Sequence, residues 1–306
     1  MSATPARERR WLPPGPIDVV RTLRLLCHGA GDPVARFDGG TFWWACRTPA
    51  GPGTLAVCPS GAEILARAWG AGADWLLAAV PELLGAGDDW SELDVSGHRV
   101  LREVRRNRPW VRLTRTGRVL DSLVPACLEQ RVTGREAFRA WRQLTLAYGE
   151  PAPGPGEPPM WLPAEPSRLL AVPSWDWHRF GVDGKRYRAV RAAATVAGRL
   201  EECAGLDLDG ARHRLSLVPG VGAWTVAETT VRALGDPDAV SVGDFHLSNV
   251  VGFVLTGAAR SDDATMLRLL APWAGQRARV VRLILLSGLT PPKYGPRFSP
   301  KDMSRI

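Results

Sequence analysis

Residues 217–226 read Leu217-Val218-Pro219-Gly220-Val221-Gly222-Ala223-Trp224-Thr225-Val226, and residues 242–247 read Val242-Gly243-Asp244-Phe245-His246-Leu247. Gly210 to Leu217 and Ala223 to Leu234 have helical character. The Pro-Gly-Val-Gly between them needs a tight turn with positive φ or a bare backbone, and joins the two helices as a hairpin. With no side chains at Gly220 and Gly222, their amides and the free N–H groups opening the second helix can meet an anion, a nucleic-acid phosphate above all. The same turn directs backbone carbonyls outward, and those of Ser216, Val218 and Val221 are candidate ligands for a structural Na+ or K+. Glycine corners also join helices in ordinary packing units, so the glycines alone leave function open.

Asp244 narrows the reading. It precedes apolar positions Leu247, Val250, Val251 and Val254 at helical spacing, so it is expected to open a helix running to Thr256 as its N-cap. A helix N-terminus favours the ionised carboxylate, and such a carboxylate can stabilise a developing cation or position a water. Cap and catalyst are compatible roles.

Together, hairpin and aspartate resemble the signature of the helix-hairpin-helix base-excision DNA glycosylases, and in particular their alkylation branch, of the inducible 3-methyladenine DNA glycosylase type. The resemblance implies that Asp244, twenty positions beyond Trp224, is the catalytic aspartate. Bifunctional members carry a lysine two positions after the hairpin's last glycine, where this chain has Trp224. An indole cannot form a Schiff base, so the resemblance implies a monofunctional enzyme that uses water. Trp224 is then expected to stack on an electron-deficient flipped purine, although core packing alone also accounts for it. The DNA-binding positions implied are Gly220, Val221, Gly222 and Thr225 on the hairpin. Within Leu128 to Gly134, Arg131 or its neighbour Gln130 is expected to fill the gap left by the extruded base. Glu228 stands where the branch has a pocket tyrosine, and Trp175, Trp177 and Trp273 are candidates to complete the pocket. Glycosylases for other damaged or mismatched bases, or a non-catalytic damage-binding protein, are the alternatives.

Composition agrees with a DNA-acting globular enzyme. The chain has 306 residues, 45% hydrophobic, with a formal net charge of +8, enough for a substantial core and biased toward an acidic partner. Arg102, Arg105, Arg106, Arg108, Arg112, Arg115 and Arg118 form a run broken by one acid, Glu103. Such a run is usually a solvated face, and as a set it favours association with DNA. The five cysteines, Cys27, Cys46, Cys58, Cys127 and Cys203, lack paired spacing, which argues against zinc or an iron-sulfur cluster; no cofactor is expected. The charged N-terminus, Met1 to Trp11, lacks an apolar targeting core, and no apolar run is long enough to span a bilayer. A monomer in a reducing cytoplasm, on the nucleoid in a prokaryote and without a membrane partner, is expected to act on double-stranded DNA containing damaged bases.

The expected fold is mainly α with an N-terminal α+β domain. Residues 1–118 form that mixed domain, with helices at Ile17 to Leu26 and Asp74 to Leu84 and strands near Thr41 to Arg47 and Thr54 to Cys58. Residues 119–306 form the helical glycosylase region, two subdomains with a cleft between them and the hairpin at 210–234. Its helices are expected at Leu123 to Arg131, Gly134 to Tyr148, Lys185 to Cys203, Asp263 to Ala271 and Gly275 to Leu286, besides those named above. The Pro- and Gly-rich span Pro151 to Pro166 is expected as a loop.

Overall fold

The computed structural model describes residues 6–292 except residue 157; the ends of the expected terminal domains, residues 1–5 and 293–306, lie outside the described residues. Five antiparallel strands form a sheet in the order β1-β5-β4-β3-β2: β1 (Arg7–Trp11), β2 (Ala35–Asp38), β3 (Thr41–Thr48), β4 (Gly51–Ser60) and β5 (Glu63–Trp69). Two-residue loops fix the register of the central strands. Gly39 and Gly40 both adopt positive φ, 53° and 82°, as a tight hairpin whose twist matches its strands requires. The edge strand β1 pairs with β5 from Arg7↔Ala68 to Trp11↔Ile64. Its Arg-Glu-Arg-Arg sequence blunts the edge and forms ion pairs with the neighbouring strand, including Arg67 to Glu8 at 3.1 Å.

Alternation along β3 sends Phe42, Trp44 and Cys46 into the main core, while Ala45 packs with Met160 and Leu162 on the other face. The expected loop at Pro151 to Pro166 therefore contains structure. A short ribbon, β6 (Glu150–Pro151) paired with β7 (Trp161–Leu162), covers that second face. The cover is needed because a sheet apolar on both sides must bury both.

The helices are α1 (Val19–Leu23), α2 (Ala73–Leu83), α3 (Arg99–Asn107), α4 (Val119–Glu129), α5 (Gly134–Tyr148), α6 (Pro166–Ala171), α7 (Ser174–Arg179), α8 (Gly184–Thr195), α9 (Ala197–Glu201), α10 (Leu208–Ser216), α11 (Ala223–Ala233), α12 (Leu247–Thr256), α13 (Asp263–Leu270) and α14 (Arg277–Leu286). A single helix was expected from Lys185 to Cys203; the chain instead breaks at Val196, which leaves the helical region at φ −113° and ψ 22°. The capping box of α5 is complete: Thr133 caps the Glu136 amide and Glu136 returns to the Thr133 amide, satisfying two otherwise orphaned donors.

Two large cores result. The first joins the sheet and α2 to α4, α5, α8, α9, α10 and α11 through residues such as Leu55, Leu76, Leu123, Trp141, Val190 and Val226. The second packs α12, α13 and α14 against Trp90, Leu101, Val104 and Val111. Thus α3, which carries much of the arginine run, completes the second helical core from within the first 118 residues. The 217–226 and 242–247 stretches fall at the passage of the chain from one core to the other.

Between the sheet and α4 lies a charged cluster. The Asp121 Oδ2 is closed off from solvent without a hydrogen-bond partner, and burial pushes this carboxyl up to about 6, against the pull of Arg118 and with Glu201 adding to the rise. A carboxyl more basic when folded than when unfolded contributes stability that is complete below its unfolded pKa, near 4, and is lost as pH rises through the folded value. Between about pH 4 and about pH 7, the stability of wild type relative to Asp121→Asn is expected to fall by roughly 3 kcal/mol. Urea melts at several pH values check this; a constant difference would contradict it.

Candidate active site

The hairpin joins α10 to α11. The Val218 amide donates to Leu215, and the Val221 amide closes the turn onto the Val218 carbonyl at 3.0 Å. Gly220 is required twice over. Its φ is +87°, and a Cβ there would stand 2.8 Å from the Cβ of Ala189 on α8. Gly222 meets nothing within 4 Å of where a Cβ would be, and it opens α11 with no capping side chain, so first-turn amides are left for an anion.

Two braces hold this geometry. Asp236, fully buried, accepts from Arg212 Nε of α10 at 2.8 Å and from the Thr230 hydroxyl of α11 at 2.9 Å, tying both helices together. Gln130, just past α4, donates through Nε2 to the Gly220 carbonyl and to Thr225 Oγ1, each at 2.9 Å.

Asp244 lies beside this hairpin. The Trp224 indole N–H donates to Asp244 Oδ2 at 3.3 Å, while Oδ1 accepts from the amides of His246 and Leu247 at 2.8 and 2.9 Å. The helix expected to start at Asp244 begins at Leu247. Gly243, at φ +91°, and the aspartate's own turn consume the intervening residues, so the N-cap position falls to His246, which offers no side-chain bond, and Asp244 accepts the His246 and Leu247 amides from two residues before it. The loop is fixed at both ends: the Asp244 amide donates to the Ser241 carbonyl at 3.1 Å, and the Gly243 amide to Asp263 Oδ2 at 2.9 Å. The result is a half-buried carboxylate held by three donors, with an indole on one side.

The other expected site residues divide. Glu228 lies one turn from Trp224 and does not rotate out to solvent: it accepts from Arg232 Nη1 at 2.5 Å and from the Ser241 hydroxyl. Arg131 is exposed and, among the described residues, the one non-glycine with positive φ, at 56°; such strain persists where neighbours over-determine it. Because Gln130 is anchored on the hairpin, Arg131 is the side chain free to project. Thr225 is 2% exposed and its hydroxyl is taken by Gln130, so it supports the hairpin from within and does not face a ligand. Val221 is likewise buried, leaving its backbone as the available part. The Val218 carbonyl, a candidate cation ligand with those of Ser216 and Val221, already accepts the Val221 amide.

None of the three further tryptophans has a ring contact with Trp224 among the described residues. Trp177 is sealed in the first core, stacked on Tyr187 with centroids 6.1 Å apart; Trp175 is 72% exposed; and the Trp273 indole donates to the Asp94 carbonyl at 2.6 Å. Trp177 and the half-buried Trp273 pack into the two cores, whereas Trp175 stays at the surface, a division that sequence position does not show.

The arginine run is also dispersed. Arg118 pairs with Glu201 at 3.0 Å, Arg108 donates to the Leu286 carbonyl at the end of α14, and Arg115 reaches the Ala204 carbonyl. Other cations are exposed on α5 and α8. Lys185 and Arg188, exposed on the turns of α8 that meet Gly220 through Ala189, and Arg135, on the first turn of α5, have no carboxylate partner among the described residues. The signal for the first two was in the sequence as an i, i+3 pair without an intervening acid.

No protein-family model matches the chain. Over 172 residues it is 32% identical to curated relatives from two strains of Mycobacterium tuberculosis described as a probable bifunctional transcriptional activator/DNA repair enzyme AlkA. The match takes in 55% of this chain and 32% of the relative, so the chain spans about a third of the length of the curated relatives it matches. Among solved structures, a 3-methyladenine DNA-glycosylase from Archaeoglobus fulgidus superposes with a TM-score of 0.74 over 92% of this chain and 98% of that one, at 13% identity. The chain has the helix-hairpin-helix DNA glycosylase fold. An 8-oxoguanine glycosylase/lyase from Clostridium acetobutylicum, in complex with double-stranded DNA, shares this glycosylase fold with a TM-score of 0.69 over 89% of this chain and 91% of that one, at 11% identity. No helix among the described residues is long and apolar enough to cross a membrane.

Proposed function

We propose that this chain is a monofunctional DNA glycosylase that flips alkylated purines, of the 3-methyladenine kind, out of double-stranded DNA and hydrolyses their N-glycosidic bond. The observation that carries the proposal is the 3.3 Å contact between the Trp224 indole and the Asp244 carboxylate at the mouth of the glycine hairpin. It puts a flat, electron-rich stacking surface beside a fixed negative charge, where an electron-deficient base and the sugar it leaves have to be held together. The names of the relatives, a DNA repair enzyme and a 3-methyladenine glycosylase, support the same reading.

The chemistry follows from the residues. Free amides at Gly222 and the start of α11 hold a backbone phosphate, and Arg131 enters the duplex in place of the extruded base. The base stacks on Trp224. As the C1′–N bond lengthens, positive charge grows on the deoxyribose, and Asp244, held in place by two amides and the indole, stabilises it and orients the attacking water. With tryptophan where a lysine would form a Schiff base, the strand is left intact. An alkylated purine that already carries positive charge leaves without a proton donor. The protein acts as a monomer in the compartment that holds the DNA, the cytoplasm and, in a prokaryote, the nucleoid.

Lys185 and Arg188 add phosphate contacts beside the hairpin. The double substitution Lys185→Ala/Arg188→Ala is expected to lower the slope of log affinity against log salt by about 2, measured by fluorescence anisotropy on undamaged duplex; an unchanged slope would remove both from the interface. The function itself is tested by incubating the protein with methylated duplex and identifying free bases by mass spectrometry. Binding without release would leave a damage-binding protein in which Asp244 acts only as a cap.

A further inference from the structure

One and two turns along α11 from Trp224 lies a partly buried charged cluster that the mechanism above leaves mostly unused. Trp224, Glu228 and Arg232 follow one another at intervals of four and so share a face. Glu228 is satisfied on both oxygens, by the Ser241 hydroxyl, three residues before Asp244, and by Arg232. Arg232 is held in place by the carbonyls of Glu228, at 2.8 Å, and Leu25, at 3.1 Å. Facing them is Glu129, the last residue of α4, beside the Gln130 that grips the hairpin. Its Oε1 stands 3.7 Å from His28 Nε2, and His28 Nδ1 is 3.2 Å from Asp32 Oδ2. The side chains of Glu129, Glu228, Arg232 and His28 are 19, 17, 18 and 10% exposed, so each is mostly buried yet still touched by solvent.

The two carboxyls are not equivalent. Glu228 has a direct donor on each oxygen, the Arg232 guanidinium among them. Glu129 accepts no hydrogen bond from any described residue, and a second carboxylate lies close by. Burial holds its pKa above the ordinary glutamate range, with Arg232 and His28 opposing and Glu228 adding to the rise. Arg282 of α14 lies near Arg232, and its own pKa is lowered by burial and by Arg232.

We propose that Glu129 is the acid that protonates the departing base when that base is neutral while attached to the sugar. This rests on the glycosylase reading. Neutral purines are poor leaving groups because they depart as anions; alkylated cationic purines depart neutral. In the step proposed, the C1′–N9 bond breaks with its electron pair remaining on the purine, and a ring nitrogen of the purine takes the Glu129 proton. Water adds to C1′ and gives its proton to Asp244, and solvent returns a proton from Asp244 to Glu129. The net change is the addition of water across the bond.

The test compares single-turnover release of hypoxanthine, neutral in the duplex, with that of 7-methylguanine, cationic in the duplex, by wild type and Glu129→Gln. The variant is expected to lower the ratio of hypoxanthine to 7-methylguanine release by about 100-fold. The wild-type hypoxanthine rate is expected to fall as pH rises through the raised pKa of Glu129, a dependence absent for 7-methylguanine. The profile on the unmodified protein keeps the test decisive where the variant folds poorly. An unchanged ratio, a flat hypoxanthine profile, or release of 7-methylguanine without hypoxanthine would each overturn the role of Glu129 while leaving the glycosylase reading intact. Release of neither base would overturn both.

Discussion

Asp244→Asn is expected to abolish base release while leaving duplex binding close to wild type. The carboxylate is ringed by donors: two amides on Oδ1 and the Trp224 indole on Oδ2. An asparagine placed to keep its carbonyl oxygen on the two amides turns its NH2 toward the indole N–H, so one contact becomes donor against donor. The loop survives, because its other anchors, Gly243 to Asp263 and Asp244 to Ser241, run through the backbone amides. What disappears is the negative charge beside the sugar. Removing one preorganised electrostatic group typically costs about 100-fold to 1,000-fold in rate, and here the lost group is a full charge facing a developing cation, so the loss is expected at or beyond the upper end of that range. Single-turnover release from methylated duplex, with affinity measured in parallel, separates the two effects. Turnover within tenfold of wild type, roughly 1.4 kcal/mol, would remove Asp244 from the chemistry.

Arg212→Ala is expected to give the largest loss of stability, and with it the shape of the hairpin. Asp236 is fully buried, and Arg212 meets it through both Nε and Nη2, at 2.8 and 2.5 Å. Thr230 and the Asp238 amide complete the site. Deleting the guanidinium leaves a buried carboxylate with two neutral donors and no counter-charge, which costs about 3–5 kcal/mol. The Asp209 contact of Arg212 matters far less, since that carboxylate is 94% exposed and surface pairs contribute about 0–1 kcal/mol. Asp209→Ala is the control for that comparison. Chemical melts of the two variants test this: equal midpoints would show that the Asp236 contact does not hold α10 on α11.

Local spacing made much of the site legible. The hairpin, Asp244 and Trp224 lie within one short span, and their meeting requires only that two helices turn back at Gly220. The start of α12 was misplaced by three residues because an aspartate that bonds the amides two and three positions ahead looks, in sequence, like the first turn of the helix. The edge strand β1 and helix α3 were illegible for a shared reason. Their charged sequences read as tails or solvated faces, yet β1 answers charges on β5, and α3 buries only Leu101 and Val104 against a core supplied from the far end of the chain. Trp175, Trp177 and Trp273 could not be sorted, since a tryptophan in a core and one in a pocket look alike until the fold is known. Glu129 and Arg232 escaped notice for the opposite reason: more than a hundred positions apart and unremarkable in their helices, they meet only because α4 packs along α11.

The central claim is that the Trp224–Asp244 cleft hydrolyses the bond between base and sugar and goes no further. A duplex carrying a single 7-methylguanine, incubated with excess protein, tests it in one measurement of both products. Free 7-methylguanine is expected together with an intact strand that breaks only after alkali, and with no protein–DNA adduct on borohydride reduction. No free base, or a strand already cut with a trapped covalent adduct, would contradict it.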